Sequence, residues 1–432
     1  MILTTPSLRT LPNGVRLLAI PLPHVRSTSV GVFLHVGSRD ETAANNGISH
    51  VLEHMAFKGT TRRTVQEINL DAERLGADVN AFTSKDTTGY FMTGLGRHAG
   101  EFLGMLADIV LNSTFPEAEL KRELEVIRQE AIEYDEDPEE SSGELLDRAL
   151  FGAHPLGMPV IGTVANIERF TRDDLVAHVR SHYVAEQTVV AMAGEVDVEA
   201  FFAQGEALFA GMPRASVAVP APAVPGHVGS AMGRRFTQVS QVFMNVAYPV
   251  LPEAAVDLRD QRWRLAGSLA TILFGGGMSA PLTDTVRERL GLAYTAHSTS
   301  ESGDDWFSFI VHAVTTPEQL DELVGAAGTL LRAHAQEIDP VHLERAKNQL
   351  TVSRVRSSER TYAAMERAVE ELFLRGTIGA LGDTLDLIEE ITLEEVRAVF
   401  ERMLRHPPAL AITGKGATAK AAKQLAGKLR AG

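Results

Sequence analysis

A weak internal repeat constrains the fold of this chain more than any other feature of its sequence. Thr171 and Thr392 lie 221 residues apart, and each precedes a helical pattern with an acidic residue three positions later, an arrangement that caps helix N-termini. Each helix leads to a strand of small and apolar residues, 188–194 in the first copy and 409–414 in the second. A chain of 432 residues exceeds what one core usually supports, so the repeat predicts two homologous domains of about 210 residues each.

Local patterns indicate what the two domains contain. Asn13-Gly14 between apolar runs predicts a β-hairpin near the N-terminus. Strands mixed with long helices indicate an α/β or α+β fold. Residues 215–232 are rich in proline and small residues and are predicted to be a linker. We therefore predict an N-terminal domain over 1–214 and a C-terminal domain over 233–432.

The pentad His50-Val-Leu-Glu53-His54 is the strongest chemical signal. Apolar residues recur at helical spacing through residues 47–57, so the segment is predicted to be a helix with one buried face. Residues four apart are neighbours on a helix, so His50 and His54 can bind one metal ion through their imidazoles. Glu53 can then reach a water molecule without being a ligand, as in the inverted zinc-peptidase motif. The alternative is a solvated helix face that binds no metal.

The repeat favours the metal-binding interpretation. The second copy has no such pentad around residues 265–280, and Ser353 stands where the first copy has Glu130. A feature present in only one of two similar domains is not required by their common fold. The functional site is therefore predicted to lie in the first domain.

A third ligand has to come from elsewhere in the chain. The best candidate segment is a helix predicted over 116–134 and capped by Ser113 or Thr114. Glu123 and Glu130 lie seven residues apart on one face of it, beside an apolar stripe where an unpaired carboxylate is costly. Glu133 also lies on that side, and the spacing does not choose among the three glutamates.

Eight segments, in order along nearly the whole chain, resemble the pitrilysin-type zinc metallopeptidases. The resemblance is strongest to the short bacterial members and to the catalytic subunit of the mitochondrial processing peptidase. The matching segments are Leu11-Pro-Asn-Gly14, Gly37-Ser-Arg-Asp-Glu41, His50–Thr60, Asn80-Ala-Phe-Thr-Ser84, Glu123–Glu130, His154-Pro-Leu-Gly157, Gly275-Gly-Gly-Met278 and Arg287–Tyr294.

This resemblance implies a fold and a set of metal ligands. The fold is α+β, with two homologous domains, each a mainly antiparallel sheet packed with helices, that together form half of a clam-shell chamber. The family's zinc glutamate ends a Val-Ile-x-x-Glu segment, which corresponds to Glu130 here. One Zn²⁺ per chain is then held by His50, His54 and Glu130. Glu123 corresponds to the family's carboxylate behind the ligands, which orients an imidazole.

The resemblance also implies catalytic roles. The chain is expected to be a zinc metalloendopeptidase that hydrolyses peptides or unfolded polypeptides, with Glu53 as general base. Arg287 and Tyr294 match a pair that holds the substrate and stabilises the developing oxyanion; taken alone, they are a surface arginine and a packed tyrosine. Asn80, Ala81 and Phe82 match an edge strand to which a peptide substrate adds by main-chain hydrogen bonds.

Relatives enclose their substrate with four such domains, so a chain with two is expected to form a homodimer or a heterodimer with a homologous subunit. The alternative from another functional class is a non-catalytic or partner-dependent subunit of a processing-peptidase-like heterodimer. Such subunits typically lose the metal motif. Here the two histidines, Glu130 and Glu53 are all present, which favours catalysis.

Composition excludes several other classes. The formal net charge of −15 argues against a nucleic-acid partner, because that requires a basic surface. The chain has no cysteine, so thiolate ligands and disulfides are excluded. No apolar run is long enough to span a membrane. The first residues lack a basic region followed by an apolar one, so no secretory signal is indicated and we expect a cytoplasmic protein.

Overall fold

The computed structural model describes residues 6–215, 222–223, 228–251 and 257–431. Within it the chain forms two compact units. The first consists of Met1–Ile132, Pro159–Pro220 and Val355–Leu381, and the second of Glu133–Met158, Ala221–Arg354 and Gly382–Gly432. Relative to the predicted domains, each unit contains one segment from the other half of the chain. Much of the predicted linker, 215–232, lies outside the described residues.

Within the described residues, each unit contains one β-sheet. The strands are β1 (Ser7–Thr10), β2 (Arg16–Pro21), β3 (Ser27–Leu34), β4 (Asp78–Thr83), β5 (Thr88–Leu95), β6 (Thr188–Gly194), β7 (Ala231–Arg235), β8 (Val242–Pro249), β9 (Thr295–Ser302), β10 (Phe307–Thr315) and β11 (Ala409–Gly414). The first sheet has the order β1-β2-β6-β3-β5-β4 and the second β7-β11-β8-β10-β9. The predicted N-terminal hairpin is present as the antiparallel pair β1–β2, with Gly14 at a φ of +107° in its turn.

The two sheets share one topology. Five strands of the first, in the order β2-β6-β3-β5-β4, correspond to the whole of the second. In both sheets the first of these pairs is parallel and the remaining pairs are antiparallel. Thr171 and Thr392 each cap a helix through a reciprocal capping box at equivalent places in the two units. The predicted repeat and the mainly antiparallel α+β fold are thus confirmed.

Helices cover both sheets. They are α1 (Ile48–Ala56), α2 (Val65–Arg74), α3 (Ala99–Asn112), α4 (Glu117–Glu136), α5 (Pro138–Phe151), α6 (Val164–Ile167), α7 (Arg172–His182), α8 (Val198–Phe209), α9 (Gln261–Gly275), α10 (Pro281–Thr283), α11 (Leu320–Gln336), α12 (Pro340–Ser358), α13 (Thr361–Arg375), α14 (Leu381–Glu390), α15 (Leu393–Met403) and α16 (Ala419–Ala431). Across the described residues, none is long and apolar enough to cross a membrane.

In the first unit, the two faces of the sheet pack against different helices. Alternate residues of β2 and β3, such as Leu17 and Val32, join the main core with α1 and α3. The residues between them, such as Leu18 and Phe33, pack against α13. A β-carbon at Gly31 would lie 2.4 Å from the Phe33 ring, so only glycine allows this close packing.

The second unit repeats this arrangement with α5 in place of α13. One face of its sheet packs in a core with α9, α11, α15 and α16. The other face packs against α5, where Leu146, Ala149 and Leu150 contact Ala247 and neighbouring strand residues. Each sheet is therefore completed by one helix from the opposite half of the sequence.

Candidate metal centre

Helix α1 carries the histidine pentad and has a glutamate at its N-terminus. Its Ncap residue, Gly47, has no side chain to accept hydrogen bonds and adopts a φ of +100°. The carboxylate of Glu41 accepts instead, from the backbone N–H of Gly47 (2.8 Å) and Ser49 (2.9 Å) and from Nδ2 of Asn46 (3.0 Å). Burial raises the pKa of Glu41 to about 7, against the lowering effect of these hydrogen bonds.

The structure brings His50, His54 and Glu130 together. Glu130 Oε2 on α4 lies 3.9 Å from His50 Nε2 and 3.6 Å from His54 Nε2. One ligand atom from each residue lies within 4.8 Å of the other two. A tetrahedral zinc ion with bonds of about 2.1 Å separates its donor atoms by about 3.4 Å. This donor set therefore fits a zinc ion, with two imidazoles, one carboxylate and no thiolate.

His50 has the protonation state that metal binding requires. Burial, with a smaller contribution from the neighbouring His54, lowers the pKa of His50 to about 4. A histidine ligand must be neutral to present its nitrogen lone pair. His50 is therefore ready to bind a cation at neutral pH.

Glu123 lies behind His54, where the resemblance implied an orienting carboxylate. Its Oε2 is 3.3 Å from Nδ1 of His54, the ring nitrogen opposite the one that faces Glu130. Glu133 is exposed and does not belong to this group. Among the three glutamates that spacing left open, the geometry thus favours Glu130 as the ligand and Glu123 as its support.

Helix α4 begins differently from the sequence prediction. The hydroxyl of Ser113 donates to the carbonyls of Ile109 (2.8 Å) and Ala56 (3.1 Å), and that of Thr114 donates to Gly59 (3.2 Å). The expectation that one of these hydroxyls caps α4 was wrong, because neither accepts a hydrogen bond from the first backbone N–H groups of the helix. The helix begins at Glu117, two residues after Phe115, a buried residue with a φ of +47°.

Glu53 lies one turn from His50 on the same helix. Its Oε2 accepts a hydrogen bond of 2.6 Å from the hydroxyl of Thr83 at the end of β4. Burial raises the pKa of Glu53, while Thr83 and His54 counteract the rise. A carboxylate with a raised pKa, close to the ligand group and held at one oxygen, is suited to take up and release a proton.

The predicted substrate-binding residues Asn80, Ala81 and Phe82 lie on β4, an edge strand of the first sheet. In the described part of the chain, β4 pairs only with β5. Ala81 packs partly against the core that contains α1, whereas Asn80 is exposed and its Oδ1 accepts from the backbone N–H of Ala81 at 2.9 Å. One edge of this strand is therefore available to hydrogen-bond another strand.

Arg287 and Tyr294 lie in the second unit, whereas the ligand group lies in the first. The guanidinium carbon of Arg287 is 5.1 Å from the centre of the Tyr294 ring, a cation–π contact. The side chain of Tyr294 is 77% exposed. The structure thus places these two predicted residues beside each other and accessible to solvent.

Sequence reasoning assigned no role to three residues that support α1, Glu53 or Glu123. Glu41 caps α1, Thr83 holds Glu53, and Lys58 pairs with Glu123. All three lie inside the segments that carried the resemblance. The spacing of Lys58 from His54 gave no signal, because Lys58 lies beyond the end of α1 at Ala56.

Family models match both halves of the chain. Residues 17–164 match the model described as insulinase (peptidase family M16), and residues 169–350 match the one described as peptidase M16 inactive domain. An uncharacterized zinc protease of Bacillus subtilis is 32% identical over 93% of this chain and 97% of its own length. An uncharacterized zinc protease of Streptomyces coelicolor is 34% identical, over 94% of this chain and 88% of its own.

The fold has close counterparts among solved structures. A protease from Helicobacter pylori superimposes with a TM-score of 0.85, covering 95% of this chain and all of its own, at 20% identity. At that identity the likeness establishes the fold alone. The two family models and the two zinc-protease relatives establish the rest: the chain belongs to peptidase family M16, the insulinase family.

Proposed function

We propose that this protein is a zinc-dependent endopeptidase that hydrolyses peptides or unfolded polypeptides. The single observation that carries the proposal is the cluster of His50, His54 and Glu130, with Glu53 one turn away. The names of the relatives, zinc proteases, support the same activity. When bound, a zinc ion polarises the scissile carbonyl and makes a water molecule more acidic.

Glu53 is the proposed general base. Its carboxylate takes a proton from the water molecule that attacks the scissile carbonyl, and it then delivers that proton to the leaving amine nitrogen. The hydroxyl of Thr83 holds one carboxylate oxygen through this cycle. The extended substrate adds to the free edge of β4 along Asn80, Ala81 and Phe82, which brings its backbone into register with Thr83.

Arg287 and Tyr294 are the proposed substrate-holding and oxyanion-stabilising pair. The exposed hydroxyl of Tyr294 donates to the carbonyl oxygen as negative charge develops on it, and Arg287 holds the ring through the cation–π contact. We propose that the chain acts as a dimer, with an identical or homologous partner, in which each subunit supplies this pair to the metal centre of the other. A chamber closed in this way admits short or unfolded chains.

A non-catalytic subunit is the competing function. It requires neither the metal ligands nor a base, yet this chain places all three ligands within 4.8 Å of one another. Its Glu53 is also held in a defined position. These features favour catalysis over a purely structural role.

The test measures zinc content and cleavage of a mixed peptide library for wild type, Glu53→Gln and Glu133→Gln. We expect about one zinc per chain in all three, with cleavage by wild type and Glu133→Gln only. Glu133 is an exposed glutamate outside the ligand group, so it controls for the charge change itself. Near-normal cleavage by Glu53→Gln would exclude Glu53 as the base. Absence of zinc after reconstitution would favour the non-catalytic subunit.

A further inference from the structure

The contacts of Glu123 extend beyond the metal ligands to Lys58. Glu123 Oε1 lies 2.7 Å from the ammonium of Lys58, and its Oε2 lies 3.3 Å from Nδ1 of His54. The two oxygens of one carboxylate thus join a lysine to a metal-binding histidine. We propose that Lys58 is a positioning residue of the metal centre, which holds Glu123 in the orientation that directs His54 toward the metal.

Lys58 lies just beyond the end of α1, which ends at Ala56, and its backbone N–H donates to the carbonyl of Met55 at 3.1 Å. His54 lies in the last turn of the same helix. Both side chains reach the carboxylate of Glu123 on α4. The side chains of Lys58 and Glu123 are 26% and 11% exposed, so water screens their attraction only in part.

Glu123 needs this partner. A carboxylate taken out of water is costly unless it is paired and hydrogen-bonded, and here Lys58 supplies the pairing cation. Without the lysine, Glu123 is expected to turn toward solvent, where it no longer reaches Nδ1 of His54. The imidazole of His54 then loses the contact that fixes its ring.

The two histidines differ in how they are supported. Nδ1 of His50 is buried and has no hydrogen-bond partner in the described part of the chain. Nδ1 of His54 has the Glu123 contact. Packing of α1 therefore positions His50, whereas a chain of polar contacts that ends at Lys58 positions His54. Loss of that chain should weaken metal binding through His54.

The direction in which zinc affinity changes on loss of Lys58 distinguishes a positioning role from charge repulsion alone. A lysine ammonium near a cation site repels the cation, so removing it for electrostatic reasons alone should strengthen zinc binding. A positioning role predicts the opposite. Partners that orient ligands typically contribute about 10–100-fold to metal affinity. We therefore expect Lys58→Met to weaken zinc binding by about 10-fold or more.

The experiment measures zinc dissociation constants by chelator competition for wild type, Lys58→Met, Lys58→Arg and Lys121→Met. Lys121, an exposed lysine on α4, is the matched control and should leave affinity unchanged. Arginine keeps the pairing cation, so Lys58→Arg should stay within a few-fold of wild type. In the Glu123→Gln background, Lys58→Met should have little further effect, because the two residues act through one contact. Should Lys58→Met fold poorly, Lys58→Gln in the same cycle provides the comparison.

The inference rests on the proposed zinc site but not on peptide hydrolysis, so each can fail separately. Unchanged or tighter zinc binding by Lys58→Met, with wild type binding zinc, would overturn the role of Lys58 and leave the proposed function intact. An additive effect in the Glu123→Gln background would also overturn it. If wild type itself failed to bind zinc, both the inference and the proposed function would be wrong.

Discussion

The hydroxyl of Thr83 donates a 2.6 Å hydrogen bond to Oε2 of Glu53. This contact joins the end of an edge strand to the helix that carries the metal ligands. Residues of a strand point alternately to its two faces, and Val79 and Ala81 pack partly against the core that contains α1. Thr83 continues this alternation, so β4 directs a hydroxyl toward the proposed base.

Replacing Thr83 with valine should therefore lower kcat more than it raises KM. Valine keeps the shape of the side chain but leaves Glu53 without its donor, so the carboxylate is less well oriented toward the attacking water. We expect kcat to fall about 10-fold, a fraction of the 10²–10⁴-fold that a general base contributes. Peptide-hydrolysis kinetics would check this.

Thr83→Ser is the control, because serine retains the hydroxyl, and its kcat should stay near that of wild type. Peptide affinity of the inactive Glu53→Gln variant should not change when Thr83→Val is added. A large loss of that affinity would instead identify Thr83 as a residue that binds substrate.

Local sequence patterns accounted for much of the fold. The Asn13-Gly14 turn, the capping threonines Thr171 and Thr392, and the helical spacing around His50 all depend on residues close together in the chain. The positions of α5 and α13 do not, because the apolar stripe of a helix does not specify which sheet it covers. The units consequently exchange helical segments that the repeat alone did not reveal.

Some site residues could likewise be predicted from local spacing, whereas others could be assigned only from the structure. The pairing of His50 with His54 follows from helical geometry, whereas spacing could not separate Glu130 from Glu123 or Glu133. The distances from the carboxylate oxygens to the ring nitrogens of His54 separate them, because only the packing of α1 against α4 determines which carboxylate meets which nitrogen. The role of Glu41 was equally hidden, since it caps α1 from a preceding turn rather than from the Ncap position.

Glu41 predicts a pH-dependent stability. Its pKa is raised to about 7 in the folded protein, above the roughly 4.3 of an exposed glutamate. The folded state thus binds a proton at Glu41 more tightly than the unfolded state. The stability that this proton contributes is fully present below about pH 4.3 and is lost as pH rises through about 7. Relative to Glu41→Gln, which does not titrate, wild type should lose stability across this range.

The measurement is the difference in Tm between wild type and Glu41→Gln from pH 5 to pH 8, with a chelator present to remove the contribution of metal binding. The difference should be most favourable to wild type at pH 5. Glu133→Gln, at an exposed position, should show little change with pH relative to wild type. A difference between wild type and Glu41→Gln that stayed constant with pH would contradict the assignment.

The proposed dimer predicts complementation between inactive subunits. Glu53 and Tyr294 lie in different compact units, and we propose that Tyr294 acts on the metal centre of the partner subunit. A mixed dimer of Glu53→Gln and Tyr294→Phe then has one centre with both lesions and one with neither. Peptide hydrolysis should return on mixing, to at most about half of the wild-type rate per dimer, a limit set by the one intact centre.

Subunit exchange has to be shown independently, for example with differently tagged chains. Mixing Glu53→Gln with His50→Ala is the matched control, because both lesions affect the first unit and neither mixed centre can be intact. Proven mixed dimers without recovered activity would show that Tyr294 acts within its own chain, whereas activity of Tyr294→Phe alone would show that Tyr294 does not act at all.

Helix α13 lies in Val355–Leu381, the segment of the first unit that comes from the second half of the chain. We expect it to stabilise the first sheet. Met365 on α13 is fully buried against the first sheet, beside Phe33 and Gly31. Truncating such a side chain removes buried apolar surface and leaves a cavity, so Met365→Ala should reduce the free energy of unfolding by about 2–5 kcal/mol. Met278→Ala makes the same chemical change at a side chain that is 58% exposed, and should cost less than about 0.5 kcal/mol.

Urea unfolding followed by circular dichroism measures the free energy of unfolding of both variants. Equal effects would mean that α13 does not stabilise the first sheet, whose strand β3 precedes it by more than 300 residues in the chain. The expected difference would instead make this helix from the second half of the sequence part of the folding unit that holds the metal ligands.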